Sequence, residues 1–217
     1  MRSCSFVLAV LLVLGAAGTS SASLIVENSP ATETSFRIGG SNTQVEAVIW
    51  LQSAASNDVQ VSALVGSVDG NSRTVNAYLE QNSVGNVIAS TTVTVGSFTS
   101  SADFTLTTIF TGLDLSPSFY RLTLFNTDST GDVNVRWGVA GGTTNTDYGF
   151  FAGSQFANGS DADVSFPFLS NFTTSTAPLG FQVTGVVPEP SSFVMGLIAM
   201  ATVVVIGGRA RVRRQAA

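Results

Sequence analysis

The chain is 217 residues long, with a net charge of −5 from nine arginines and 14 acids, and it has neither lysine nor histidine. Those totals exclude Ser-His-Asp and Cys-His catalysis, histidine metal sites and Ser-Lys nucleophiles. A single cysteine, Cys4, excludes a disulfide framework and a thiolate zinc site within the chain. An acidic, lysine-free surface also argues against nucleic acid as a partner, and no cofactor is expected.

The N-terminus has one positive charge, Arg2, and then a 12-residue apolar run from Phe6 to Ala17. A helix needs about 20 apolar residues to span a bilayer, so this run suits the core of a cleaved signal peptide over residues 1–23. Small residues follow it. Ser21 and Ser23 would let signal peptidase cut before Leu24, and Ser20 and Ala22 one residue earlier. Cleavage removes Cys4, so the mature chain would depend on its hydrophobic core alone.

Residues 24–186 are expected to form one extracytoplasmic domain, a size that buries a core without help. From Leu24 to Val187 there are 43 Ser and Thr in 164 residues, and four arginines against 13 acids leave a local charge of −9. Apolar and β-branched patterns predict strands over 44–50, 58–65, 73–79, 86–95, 102–107, 119–125, 132–139 and 181–187. Turn signals separate them: Asp69-Gly70-Asn71, Ser83 to Asn86, Ser116-Pro117 and Ser129 to Asp132. This pattern predicts an all-β fold, an antiparallel β-sandwich of jelly-roll type. The strings from Val75 to Leu79, Val87 to Ser90 and Leu113 to Leu124 resemble the β-rich ectodomains of the choice-of-anchor group. That resemblance implies a β-sandwich and no known catalysis.

Between Gly141 and Thr176 the pattern breaks, and long loops with short strands are expected. Tyr148, Phe150 and Phe151 cluster there beside Asn145 and Asp147. With Trp50 and Trp137 they are candidates for sugar stacking, and Asn145, Asp147 and Tyr148 form the candidate ligand loop. Core packing is the competing role for most of these rings. The segment Asn126 to Asp132 partly matches a calcium loop, with Asp128 and Asp132 as candidate ligands. The position of the bidentate Glu is Trp137, so a plain Gly/Asp turn is the simpler reading. Asp161 and Asp163 could face one way on a strand or sit in a solvated loop. Thr92/Thr94 and Thr105/Thr107 each show one pair of the kind an ice-type threonine ladder needs, and without a repeat they read as ordinary solvent faces. No pair motif of carboxylates suggests a glycosidase.

The C-terminus reads Val187-Pro188-Glu189-Pro190-Ser191-Ser192, then the apolar run Phe193 to Gly208, then Arg209, Arg211, Arg213 and Arg214. A helix over 193–208 rises about 24 Å. That is slightly short for a bilayer core of about 30 Å, and snorkelling arginines make up the difference. The basic cluster fixes the tail on the cytoplasmic side and the body outside. The two prolines remove backbone donors and favour an extended, accessible segment.

The order of these three features over 187–214 resembles the PEP-CTERM sorting signal, also catalogued as the ice-binding protein C-terminal domain. The resemblance implies recognition of Pro188, Glu189 and Pro190 by an exosortase, a membrane-embedded thiol transpeptidase. It also implies a bacterium with an outer membrane and an exopolysaccharide system. The chain is therefore expected to be a non-enzymatic protein, exported through an inner-membrane intermediate to the cell surface or beyond. The alternatives are a carbohydrate-binding module acting on exopolysaccharide and a permanently anchored single-pass membrane protein.

Overall fold

Alternation along each strand decides which residues meet in the core. In β4 (Ser56–Ser67) Val59, Val61, Ala63 and Val65 share one face and are fully buried, and in β5 (Arg73–Gln81) Val75, Ala77 and Leu79 do the same. The computed structural model describes residues 21–39, 44–83, 85–126, 134–158 and 172–188. Within them the compact unit is Ala22–Val187.

The remaining strands are β1 (Ser23–Asn28), β2 (Ala31–Arg37), β3 (Gln44–Gln52), β6 (Val87–Val95), β7 (Leu106–Leu115), β8 (Ser118–Phe125), β9 (Val135–Ala140), β10 (Thr143–Asn145), β11 (Gly149–Asn158), β12 (Thr173–Ser175) and β13 (Phe181–Val186). They form two antiparallel sheets. The first runs β10-β1-β13-β4-β9-β2, with β7 also paired to β4, and the second runs β12-β11-β3-β8-β5-β6. β4 has β7 along one edge. Along the other it has β13 opposite residues 57–63 and β9 opposite residues 65–67.

One apolar core joins the inner faces of both sheets. Its centre is aromatic. Trp50 on β3 stacks on Tyr120 of β8 at 5.5 Å between centroids, and Phe181 on β13 of the other sheet meets Trp50 at 5.8 Å and Phe151 of β11 at 5.9 Å. The Trp137 indole N–H donates to the Gly180 carbonyl at 2.7 Å, so this buried ring has its polar atom satisfied.

Most predicted strands coincide with observed ones to within two or three residues. Two expectations are corrected. Residues 102–107 do not form a strand: Ser101–Asp103 is a 3-10 turn capped by the Ser100 side chain, and the strand begins at Leu106 and runs to Leu115. The segment after Gly141 holds a ten-residue strand, β11, paired along β3. A bulge between Phe151 and Gly153 breaks its alternation and hid it from periodicity. The signal-peptide core, Asp128, Asp132, Asp161, Asp163, Glu189, Pro190, the helix over 193–208 and the four terminal arginines lie outside the described residues. Among the described residues no helix is long and apolar enough to cross a membrane.

The β4–β5 turn is held by one carboxylate. Asp69 accepts from the Arg73 guanidinium, from the Ser67 hydroxyl at 2.6 Å, from the Asn71 N–H at 3.0 Å and from the Asn134 amide at 3.3 Å. The Arg73 guanidinium, and after it the Ser67 hydroxyl, hold the Asp69 carboxyl well below the usual carboxylate range.

Two outcomes are expected from this packing. Phe181→Ala should cost about 3–5 kcal/mol in denaturant unfolding, because the ring bridges the sheets and its removal leaves a cavity. A cost under about 1 kcal/mol would contradict that role. Asp69 has a depressed folded pKa, so its stabilisation is complete above the unfolded carboxyl value of about 4 and is lost as pH falls below it. Denaturation midpoints measured from pH 7 to pH 2 should therefore fall more steeply for the native protein than for Asp69→Asn. Equal slopes would contradict the assignment.

Candidate functional site

The candidate ligand loop is a tight turn between β10 and β11. Thr146 anchors it: its hydroxyl donates to the Ile25 carbonyl at 2.6 Å and accepts the Tyr148 N–H at 3.1 Å. The Ser53 hydroxyl donates to the Asp147 carbonyl at 2.6 Å, and the Ser53 N–H donates to the Tyr148 carbonyl at 2.9 Å. Gly149 must lack a side chain, since a Cβ there would lie 2.8 Å from the Ile25 carbonyl oxygen. Asn145 is exposed, and its Oδ1 accepts the Phe151 N–H at 2.9 Å. That acceptor is committed to structure. The Asp147 and Tyr148 side chains are exposed.

Of the candidate stacking rings, Trp50 and Trp137 are fully buried and Phe151 packs on the core. Phe150 is 53% exposed and Tyr148 37%. The two threonine pairs do not stack on each other. Thr92 and Thr94 lie on β6 of the second sheet, whereas Thr107 lies on β7 of the first and donates to the Val65 carbonyl at 3.4 Å. Among the described residues no group of three or more Cys, Asp or Glu could hold a metal ion.

The most built polar centre lies elsewhere, on the outer face of the second sheet. Glu80 on β5 stands directly opposite Arg121 on β8. The Glu80 carboxylate accepts from Arg121 Nε and Nη2, each at 2.7 Å, from the Thr123 hydroxyl at 3.2 Å and from the Gly85 N–H at 2.6 Å. Gly85 sits at φ +87° in the β5–β6 turn, a backbone state that glycine adopts at little cost. The turn is thereby folded back over the ion pair. Phe172 caps it from above, with its ring centroid 4.5 Å from the Arg121 guanidinium carbon. Both charged residues are buried, Glu80 at 2% and Arg121 at 7% exposure.

A cavity of about 300 Å³ opens beside this pair. Ile49 and Phe119 form its apolar wall, and Asn82, Ser83 and Gln155 bring amide and hydroxyl groups to it. The Gln155 Oε1 atom is buried and accepts no hydrogen bond among the described residues. Sequence reading missed this centre. The one available signal was an arginine following two aromatic residues in the middle of a strand, Phe119-Tyr120-Arg121. Its partner could be found only from the β5–β8 register.

Arg121→Met should cost about 3–5 kcal/mol, because it leaves the Glu80 carboxylate buried without its counter-charge. The double variant Glu80→Gln with Arg121→Met should recover much of that loss in the same denaturation assay. A single variant as stable as the native protein would show that the pair contributes nothing. Comparison of the chain with family models, with curated proteins and with solved structures returns no match.

Proposed function

We propose that the chain is an exported, non-enzymatic cell-surface protein, a jelly-roll sandwich delivered as the cargo of its own C-terminal sorting signal. The observation that carries this reading is where the compact unit stops. It spans Ala22–Val187, and its last strand ends at Val186. Those limits fall on the two processing points read from the sequence, the signal-peptidase region at residues 21–24 and the Pro188-Glu189-Pro190 motif. Pro188 is exposed immediately beyond the domain. The two prolines of the motif favour an extended segment, which is a chain that a protease can grip.

On this reading an exosortase recognises Pro188, Glu189 and Pro190. The apolar run 193–208 holds the intermediate in the inner membrane, and Arg209, Arg211, Arg213 and Arg214 keep the tail inside. The jelly-roll assignment rests on eight consecutive strands. β2-β9-β4-β7 in one sheet face β3-β8-β5-β6 in the other, which is the interleaving of two Greek keys. The absence of catalysis is supported by the histidine- and lysine-free sequence and by Glu80, whose oxygens are occupied by four donors.

Mass spectrometry of the mature protein from its source cell tests the proposal. A C-terminus between residues 187 and 191 and an N-terminus at Ser23 or Leu24 are expected. A mature chain ending at Ala217 would show a permanent anchor instead.

A further inference from the structure

The outer face of the second sheet is ordered in rows. Antiparallel pairing places Phe150 beside Leu51 and Leu51 beside Phe119, so one row crosses β11, β3 and β8. Residues paired in this way point to the same side. Phe119 is 49% exposed and Phe150 is 53% exposed, two of the four large apolar side chains left open on the described surface. Neighbouring strands are about 4.8 Å apart, so the two rings stand roughly 10 Å apart across the sheet. The next row holds Ile49, Arg121 and Glu80, and the one after it Gln155, Ala47 and Thr123. The cavity lies between these rows, with Phe119 on its wall.

Three properties define what fits. The first is apolar contact: an exposed aromatic ring presents a negative π-face, which attracts the polarised C–H bonds of a flat saturated ring. The second is the demand for a donor. Gln155 is one of the residues that line the cavity, and its Oε1 is buried with no donor among the described residues. A buried acceptor of this kind is costly unless water or a ligand hydroxyl meets it. Ser83 and Asn82 add a hydroxyl and an amide at the same cavity.

The third property is neutrality. Arg121 and Glu80 cancel each other, and the guanidinium is capped by Phe172, so the cavity offers no free ion to a charged ligand. The domain's charge of −9 repels polyanions. A ligand with an apolar flat face, many hydroxyls and no charge is a neutral sugar.

We propose that this face is a binding site for a neutral glycan. One sugar unit enters the cavity, the Gln155 side chain turns to accept a hydroxyl hydrogen bond from it, and the chain continues over Phe119, Leu51 and Phe150. The site is distinct from the β10–β11 turn with Tyr148. It goes beyond the sorting proposal, and the two are tested separately, since binding is measured on the purified protein whatever route it takes.

The experiment titrates the full chain, purified in mild detergent, with defined hexasaccharides: cellohexaose, laminarihexaose, xylohexaose and mannohexaose, and hexagalacturonate as the anionic control. Binding of at least one neutral hexasaccharide is expected, weakened roughly tenfold or more by Phe119→Ala and by Gln155→Leu. Phe119 is half exposed and Gln155 is partly buried, and an unchanged melting temperature would show that each variant is folded. Tyr148→Ala is expected to bind as the native protein does. The proposal is overturned if no neutral hexasaccharide binds at millimolar concentration, or if hexagalacturonate alone binds. It is equally overturned if binding survives both variants, or if Phe119→Ala abolishes self-association of the chain while leaving sugar binding intact.

Discussion

The fold depends on where its last strand goes. β13 is inserted between β1 and β4, and its residues 181–184 pair on both sides. Phe181, its first residue, reaches across to Trp50 and Phe151 of the opposite sheet. A strand paired on both edges cannot fray as an edge strand does. The chain therefore leaves the domain at a fixed point, and only Val187 separates β13 from Pro188. With no cysteine outside residue 4, nothing covalent supports this closure. Pairing on both edges and the aromatic bridge provide it. The long-range pairing of β13 with β4 also means that the first sheet is incomplete until residue 186 is available, which is a high-contact-order closure.

Much of the fold was legible because most strands obey a period of two. Val59, Val61, Ala63 and Val65, and then Val75, Ala77 and Leu79, announce both the strand and its inner face. The reading failed where that period was broken by geometry. β11 carries a bulge after Phe151, which shifts its alternation, and its Gly149 and Gly153 looked like loop residues. The 3-10 turn at Ser101–Asp103 failed for another reason. The Ser100 hydroxyl accepts the Ala102 N–H and the Asp103 carboxylate accepts the Thr99 hydroxyl, and that local alternative won over a strand.

The candidate sites show the limit more sharply. Tyr148 was legible as an exposed ring because it sits among turn residues, and Trp50 was ambiguous because ring type alone does not say which face it takes. Glu80 and Arg121 are 41 residues apart in sequence, and only the register of β5 against β8 joins them. A shift of one residue in that register would send Arg121 into the apolar core. A one-residue slip would thus bury an uncompensated charge, which the native register of β5 against β8 avoids.

The two faces of the second sheet are therefore built on opposed principles. The inner face is mainly aromatic and aliphatic, with Glu46, Gln52 and Ser154 as its buried polar exceptions. The outer face is apolar at one end, ionic but neutral at its middle and amide-lined beside it. Burying Glu80 and Arg121 there would make little sense if the face were simply solvated, because a solvent-exposed pair of this kind contributes little and needs no cap. Instead the β5–β6 turn folds in through Gly85, and Phe172 folds over the guanidinium. Glu80, Arg121 and Phe172 are thereby held in place among the residues that line the neighbouring cavity. A cavity with a ring at its rim and amide and hydroxyl groups on its wall suits the flat faces and hydroxyls of the neutral glycan proposed for it.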